Sequence, residues 1–460
     1  MLRRASKGAG PARLLLLVVS PVLLAPTCGD PHRNSATAGH SARSGPPEAA
    51  VPVGRNPDAV ARPGPSPPVS SDAVSTADAG PDPGVAEMAA RGGTPEPEMW
   101  ARAETPAVSG DGAFRTSSWR TILPDGTVLP HWSFDGQVHT NVSTDADYPL
   151  EAVLRRAEAI GLDAVVISDH GSTAARRSFG EVRSRVLPLL GVEIGWNLGH
   201  AVVWGVEEHP VQGGSIPLDE VAARTHAAGA FVSLAHPTWR MRSTGRQAID
   251  LMAPETFWRP DDPARAIDAV ELWNGIYAKG TEEVVAAWER ILEQGVFVRV
   301  VGGSDFHRML PRLGMPRNVA LAPEPGIRQF IEAARLGRLY ITGRTLLHFT
   351  VNGRILGDIV RACGGAAAAD LAIEINALSR RNAVLRLFEG RDVAAERPLE
   401  AGVEFEERIV RPLPAADTWY RVEVLLRDDE KPWWQRLETF SNPILVDIGP
   451  CGDFWKNPNP

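Results

Sequence analysis

The sequence is poor in cysteine and carries no excess of basic charge. Only three cysteines occur in 460 residues, and none belongs to a Cys-x-x-Cys pair, which argues against a thiolate zinc site. Lys and Arg number 48 against 56 Asp and Glu, giving a formal net charge of −8. Because a nucleic-acid-binding protein needs a basic face, we predict no nucleic-acid partner.

Residues 29–99 contain few large apolar side chains. All 30 Phe, Trp and Tyr lie at or beyond Trp100, and residues 29–99 also contain no Leu or Ile. Seventeen of the 39 prolines precede residue 116. Such a segment cannot bury enough apolar surface to offset the entropy lost on ordering. We therefore predict a disordered Pro/Ala/Gly/Ser-rich tether over residues 29–115.

No apolar run near the start is long enough to span a membrane. The run Leu14–Ala25 has about half the required length and follows a basic start, Arg3-Arg4. This combination predicts a secretory signal peptide over residues 1–28. Cys28 follows the run at a position that resembles the lipidated cysteine of bacterial lipoproteins. We expect export to the periplasm or cell surface, with either a lipid anchor to the membrane at Cys28 or simple cleavage.

Two further cysteines lie late in the chain, Cys363 and Cys451. In an exported protein such cysteines either form a disulfide or stay free. The sequence leaves both alternatives open.

Helical and strand-like patterns alternate over residues 130–345. The helix predicted over Leu150–Ile160 ends at Gly161, and a strand follows over Asp163–Ser168. The same pairing recurs until the strand-like LYITG at 339–343. Repeated βα units predict an α/β fold with a parallel sheet or a barrel. In such folds the chemistry lies at the carboxyl ends of the strands.

Residues that bind metals cluster at these predicted strand ends. Imidazole and carboxylate together suit zinc, manganese or iron, and a carboxylate such as Glu193 can bridge two cations. Asn274 either faces the same site or caps a turn, and His200 differs from the others because it opens its strand. The set comprises His139, Asp169, His170, Glu193, His236, Asp305 and His307.

Six segments in one order resemble a known family. QVHTNVSTD, LDAVVISDHG, GVEIGWNLGH, SLAHP, ELWNG and GGSDFH resemble the polymerase-and-histidinol-phosphatase (PHP) family of metallohydrolases. Their order resembles its carbaryl-hydrolase-like (CehA/McbA) branch. The resemblance covers residues 135–343. The resemblance implies a distorted, TIM-like (β/α)7 barrel.

The resemblance also implies two to three divalent ions (Zn, Mn or Fe) as cofactors. His139, Glu193 and Asp305 are expected to hold the first ion, with Gln137 where the family has a histidine. Glu193 is expected to bridge to a second ion held by His200 and His236, and Asp145, His170 and His307 to hold a third. Gln137 either offers its amide oxygen, a weaker ligand than imidazole, or leaves a two-ion or partly filled centre. The expected catalytic residues are Asp169, His170, Glu193, Asp305 and His307, with Asp169 orienting a ligand imidazole.

Arginines near the motifs suggest the substrate. Arg176 and Arg177 follow one motif, Arg240 another and Arg308 a third. Arginine suits phosphate or carboxylate, although ordinary solvated loops explain these residues equally well. We expect an exported metal-dependent hydrolase of small molecules, foremost a phosphoesterase. The alternatives are a carboxylic-ester or carbamate hydrolase and a catalytically impaired surface binding protein.

Other features have plainer readings. Four tryptophans near the motifs either wall a pocket or pack the barrel: Trp196, Trp204, Trp239 and Trp273. Residues 346–450 show short alternating strands and an Asn352-Gly353 turn signal, which predict a small C-terminal β-sandwich.

Overall fold

The computed structural model describes residues 115–196, 198–210, 216–240, 245–308, 312–362, 370–449 and 454–456. The predicted signal peptide, the tether up to residue 114 and all three cysteines lie outside these ranges, so the predictions made for them stay open. Within the described ranges, no helix is both long and apolar enough to cross a membrane.

The described elements alternate in the barrel region and are almost entirely strands after residue 345. The helices are α1 Leu150–Ala159, α2 Leu218–Ala227, α3 Pro254–Phe257, α4 Thr281–Leu292, α5 Ile327–Leu336 and α6 Trp433–Arg436. The strands up to residue 345 are β1 Arg120–Ile122, β2 Val128–Val138, β3 Ala164–Ile167, β4 Leu187–Trp196, β5 Gly199–Trp204, β6 Phe231–Ala235, β7 Ala269–Asn274, β8 Arg299–Gly303, β9 Arg317–Leu321 and β10 Leu339–Thr342. The later strands are β11 Thr345–Val351, β12 Ile359–Arg361, β13 Asp370–Ser379, β14 Ala383–Glu389, β15 Asp392–Leu399, β16 Glu404–Pro412, β17 Thr418–Leu426, β18 Leu437–Ser441 and β19 Ile444–Asp447.

Strands β2 to β8 follow one another in a curled sheet. The sheet closes where the segment after β8 meets the end of β2: Val138 bridges Phe306 in parallel, and Asp305 N donates to Gln137 O at 3.0 Å. The predicted α/β class and distorted seven-stranded barrel are therefore confirmed.

The barrel is mixed and not wholly parallel. β5 runs antiparallel to both β4 and β6, while the pairs β2–β3, β3–β4, β6–β7 and β7–β8 are parallel. The start of an antiparallel strand lies at the same edge as the carboxyl ends of its parallel neighbours. His200, near the start of β5, therefore reaches the edge where the other candidate residues lie.

Side-chain alternation along β2 separates the core from the site. Val138 points outward and packs with Val153, Leu154 and Ala157 of α1. Because successive side chains of a strand point to opposite faces, Gln137 and His139 both point into the barrel. Both side chains are buried.

The strands after residue 345 form the predicted β-sandwich. One layer is the three-stranded sheet β11–β13–β16, and the other contains β14 and β17. Phe349 and Ile373 of the first layer share one apolar core with Leu385 and Val422 of the second. The second layer is continuous with the barrel sheet, because β18 pairs with β10. The predicted domain boundaries, 130–345 and 346–450, stay a prediction.

Candidate metal centre

Glu193, on β4, lies at the centre of a group of imidazoles. Its Oε2 lies 3.0 Å from His139 Nε2, and its Oε1 lies 2.6 Å from His200 Nδ1 and 3.0 Å from His236 Nε2. His170 Nδ1 is 3.5 Å from Oε2. The carboxylate is 1% exposed. One buried anion therefore connects residues from four different stretches of the barrel mouth.

Three groups of ligand atoms can be defined around this carboxylate. The inner cluster is His139, Glu193 and Asp305, whose ligand atoms all lie within 4.8 Å of one another. The middle cluster is Glu193, His200 and His236, with the contacts given above. The outer cluster is Asp145, His170 and His307. The structure thus brings together all nine predicted metal ligands, since Gln137 contacts the inner cluster.

The outer cluster has the spacing of a cation site. Asp145 Oδ2 lies 3.3 Å from His170 Nε2 and 3.4 Å from His307 Nε2, and the two imidazole nitrogens are 3.4 Å apart. A tetrahedral cation about 2.0–2.1 Å from its ligands separates them by about 3.3–3.4 Å. Asp145 is half exposed, so this cluster is the one that faces solvent.

The residues of the inner cluster are buried, and their charges shift one another's pKa values. Its members are all at most 3% exposed. Burial by itself lowers the pKa of His139, but the adjacent Asp305 and Glu193 carboxylates outweigh it and raise that pKa to about 10. Burial opposes ionisation of Glu193, yet the surrounding imidazoles, His200 first, hold its pKa well below the usual range. The buried negative charge of Glu193 and Asp305 therefore favours positive charge beside it.

Two buried nitrogens lie where ligands of a cation would lie. His139 Nε2 and His200 Nδ1 lie 3.0 Å and 2.6 Å from Glu193 oxygens, but neither has a hydrogen-bond partner of suitable geometry. Imidazole nitrogens placed against carboxylate oxygens in this way are the donor set of zinc, manganese and iron sites. The residues present therefore fit divalent cations.

Asp169 supports the centre through a serine and not through a ligand contact of its own. It accepts hydrogen bonds from Thr140 N at 2.7 Å, Thr140 Oγ1 at 2.8 Å and Ser143 Oγ at 3.1 Å. Ser143 Oγ also lies 3.2 Å from His139 Nδ1. Because the serine hydrogen is used on Asp169, His139 Nδ1–H must donate to the serine oxygen. This leaves the Nε2 lone pair of neutral His139 pointing at the inner cluster.

Sequence reasoning missed Glu271, on β7. Its Oε2 accepts from His236 N at 2.8 Å and from Asn274 Nδ2 at 3.0 Å. Burial first, and then the charge of Asp305, raise the pKa of Glu271 well above its usual value. His236 has a φ of 27°, a rare value for a residue with a side chain, and the Glu271 contact holds its amide there. The signal was present in the sequence as the one charged residue of the strand AVELWN.

Close packing explains the Gly302-Gly303 pair before Asp305. A Cβ on Gly303 would lie 2.5 Å from Glu271 Oε1 and 2.6 Å from Gln137 Cβ. Only glycine therefore lets β8 approach β2 and β7 closely enough to bring Asp305 to the inner cluster.

The structure separates the four predicted substrate arginines. Arg308 alone contacts the centre: its Nε lies 3.3 Å from Asp145 O and 3.4 Å from Asp147 Oδ2. Arg240 is held by Gly245 O and Gln247, and Arg176 pairs with Glu207 at 3.4 Å. Arg177 is exposed.

One of the four tryptophans near the motifs contacts the site, and the other three do not. Three of them are buried in the apolar core, namely Trp196, Trp204 and Trp273. Trp239 is half-buried and stacks on His200 at 4.9 Å between ring centroids, and Tyr277 lies 5.1 Å from His236. These two rings form an aromatic wall beside the middle cluster.

A cavity of about 730 Å³ borders the residues that follow His139. Thr140, Asn141 and Val142 line one side, and α1 and the 3₁₀ helix Ala174–Ser178 line the others. The volume lies within the range that holds a small organic ligand.

One family model matches this chain. Residues 135–237 match the PHP domain, a segment that contains Gln137, His139, Asp145, His170, Glu193, His200 and His236. No curated protein matches the chain.

Several solved structures resemble part of the chain, and two of them are as follows. One is a Bifidobacterium adolescentis protein described as a candidate metal-dependent phosphoesterase, 18% identical, with a TM-score of 0.30. The other is an amidohydrolase from Chromobacterium violaceum, with bound sulfate and no metal, 14% identical and also with a TM-score of 0.30. Each likeness covers 39% of this chain and 89% of the other. Both scores are too low to say more about this chain.

Proposed function

We propose that this protein is a metal-dependent hydrolase, and specifically a phosphoesterase, because residues 135–237 match the PHP domain. The observation that carries the proposal is the buried Glu193 carboxylate, surrounded by four imidazoles at 2.6–3.5 Å. A site of this composition has no use in packing, because burying so many titratable groups without a cation is costly.

The residues have distinct roles in this proposal. When bound, divalent ions supply a water of lowered pKa and a positive charge for the developing oxyanion. The carboxylates and histidines of the three clusters are the candidate ligands for these ions. Asp169 and Ser143 keep His139 in the tautomer that a cation requires, and Glu271 holds the His236 backbone. Asp145 and His170, whose side chains are 52% and 33% exposed, are the ligands most open to an incoming substrate.

Phosphoesters are favoured as substrates by the position of Arg308. Its guanidinium is anchored beside Asp145, and the side chain is 62% exposed. A guanidinium is suited to recognise a phosphoryl group because it offers several donors in one plane. A cavity of about 730 Å³ borders Thr140 and Asn141, the two residues that follow His139.

A carboxylic-ester or carbamate hydrolase is the second candidate. Trp239 and Tyr277 place an aromatic wall beside His200 and His236, and Ile276 next to them is 44% exposed. An apolar acyl or aryl group packs well on such a wall. The carbaryl-hydrolase-like branch stays a prediction, as does the choice among zinc, manganese and iron.

The test is a substrate panel. The metal-stripped protein is reloaded with Zn²⁺, Mn²⁺ or Fe²⁺ and assayed on aryl phosphates, phosphodiesters, aryl esters and carbamates. We expect phosphoester turnover that disappears with chelator and returns with metal. Ester or carbamate turnover without phosphoester turnover would establish the second candidate. Metal binding without any turnover would favour the third reading, a catalytically impaired binding protein.

We also propose that the protein is exported. The basic start, the short apolar run and Cys28 support this. In the native host, fractionation and labelling with a fatty-acid analogue test it: a lipid-anchored protein is labelled and loses the label in Cys28→Ala. Export without a label would leave simple cleavage, and a chain that stays in the cytoplasm with its first 28 residues intact would refute export.

A further inference from the structure

Gln137 lies against the same two oxygens as His139. Its Nε2 is 3.0 Å from Glu193 Oε2 and 3.3 Å from Asp305 Oδ1. His139 Nε2 is 3.0 Å and 3.4 Å from the same atoms. Gln137 therefore occupies a corner of the inner cluster, and what it offers there depends on which way its amide points.

The orientation of Asn274 is set by the backbone. Asn274 Oδ1 accepts hydrogen bonds from Ile276 N at 2.8 Å and Tyr277 N at 3.0 Å. Since two N–H groups need an acceptor there, the oxygen must face the turn. Asn274 Nδ2 then faces the site, where it donates to Glu271 Oε2 at 3.0 Å and Asp305 Oδ2 at 3.3 Å.

The orientation of Asn274 in turn sets that of Gln137. Asn274 Nδ2 lies 3.4 Å from Gln137 Oε1. A reversed Gln137 amide would bring two NH₂ groups face to face. The observed orientation pairs every donor with an acceptor, so Gln137 presents N–H groups to Glu193 and Asp305.

An N–H group at this corner opposes a cation. An amide nitrogen donates and does not accept, so Gln137 adds no lone pair to the inner cluster. Its partly positive hydrogens lie against the two oxygens that a cation would need. His139 is also within reach of the outer histidines, because ligand atoms of His139, His170 and His307 lie within 4.8 Å of one another. The lone pair of His139 can therefore serve the outer cluster instead of the inner one.

We propose that Gln137 takes the place of a cation in the inner cluster, so that this protein binds two divalent ions, in the middle and outer clusters. The inference rests on the proposed function, because it presumes that the centre binds divalent ions at all. It assigns Gln137 as a positioning residue that holds Glu193 and Asp305 together through hydrogen bonds.

The test is metal stoichiometry in the full chain. Metal-free protein is titrated with Mn²⁺ and with Zn²⁺, and bound metal is counted by elemental analysis after removal of free ions. We expect two ions per chain in the wild type. Gln137→Glu, which replaces the NH₂ by an oxygen with little change of shape, and Gln137→His are each expected to bind three. Gln294→Glu, the same change at an exposed position after α4, is the matched control and should bind two.

The outcomes distinguish this inference from the proposed function. Three ions in the wild type, or two in both Gln137 variants, would overturn the inference even if phosphoesters are hydrolysed. Two ions in the wild type and three in the variants, with no substrate turned over, would support the inference and overturn the hydrolase proposal. No bound ion in any protein would overturn both. If a variant fails to fold, the wild-type count alone decides.

Discussion

Single atoms decide what the centre presents to a ligand. Ser143 Oγ has one hydrogen, and Asp169 takes it at 3.1 Å. His139 must therefore donate through Nδ1 and keep its Nε2 lone pair for the inner face. A buried side chain that only contacts a ligand residue thus sets the tautomer of that residue.

Ser143→Ala is expected to lower the affinity for the ion that His139 binds by about 10- to 100-fold, because His139 loses the group that fixes its tautomer. Isothermal titration of metal-free protein with Zn²⁺ measures this. Ser178→Ala, on the 3₁₀ helix beside the cavity, is the matched control and should bind normally. Unchanged affinity in Ser143→Ala would show that Asp169 and Ser143 do not act on His139.

Helices and strands position these atoms, and the sequence predicts the bounds of a helix better than the direction of a strand. Helical periodicity predicted α1 over Leu150–Ile160, and the helix runs over Leu150–Ala159. The direction of β5 was missed, although β4 ends at Trp196 and β5 begins at Gly199. So short a connection allows only a hairpin, because a parallel return needs a dozen residues or more.

The alternation of side chains along a strand could not predict that Glu271 faces the site, and it could not predict the orientation of the Gln137 amide. The pairing of β7 with β8 shifts register between Glu271 and Trp273, which lets Glu271 and Asn274 face the same side although they are three residues apart. A strict period of two would place them on opposite faces. The Gln137 orientation depends on hydrogen bonds across three strands, and no local pattern records such contacts.

A buried ion pair between Arg421 and Glu289 connects β17 of the sandwich to α4 of the barrel. Arg421, on β17, is 2% exposed. It pairs with Glu289 of α4 at 2.7 Å and with Glu423, and it lies 3.8 Å over the Phe388 ring. A buried charge with two partners is costly to disrupt, because its partners are left uncompensated.

Arg421→Ala should lower the free energy of unfolding by about 3–5 kcal/mol. Urea denaturation measures this loss, and metal content per folded chain should not change. Arg386→Ala on β14 is the control, because the Arg386–Glu396 pair is partly exposed and should contribute less than about 1 kcal/mol. Equal losses in the two variants would contradict the fastening role of Arg421.

At the scale of the whole molecule, one sheet joins the barrel to the sandwich. Two buried histidines lie where these parts meet: His131 on β2 and His348 on β11, both hydrogen-bonded to Thr121 Oγ1 at 3.0 Å and 3.1 Å. Burial lowers the pKa of His131 to about 3 and that of His348 to about 4. Both are neutral in the folded protein near pH 7.

These two histidines should therefore make the protein less stable as the pH falls below about 6.5. In the unfolded chain these histidines are protonated near pH 6.5, whereas in the folded chain they stay neutral until the pH falls to about 4. Each histidine then removes about 1.4 kcal/mol of stability per pH unit below 6.5. In His348→Gln the slope of unfolding free energy against pH between 6 and 5 should be smaller by about that amount. Parallel curves for wild type and variant would contradict the low pKa of His348.

The central claim is that Glu193 holds divalent ions for hydrolysis, and Glu193→Gln tests it most directly. The variant keeps the size of the side chain and removes the charge that the four imidazoles surround. Bound metal and metal-dependent phosphoester hydrolysis are measured together, with the exposed Glu207→Gln as control. We expect the variant to lose bound metal and more than about 100-fold of the activity, since losing a ligand should exceed the effect of losing a residue behind one. Full metal content and full activity in Glu193→Gln would contradict the account.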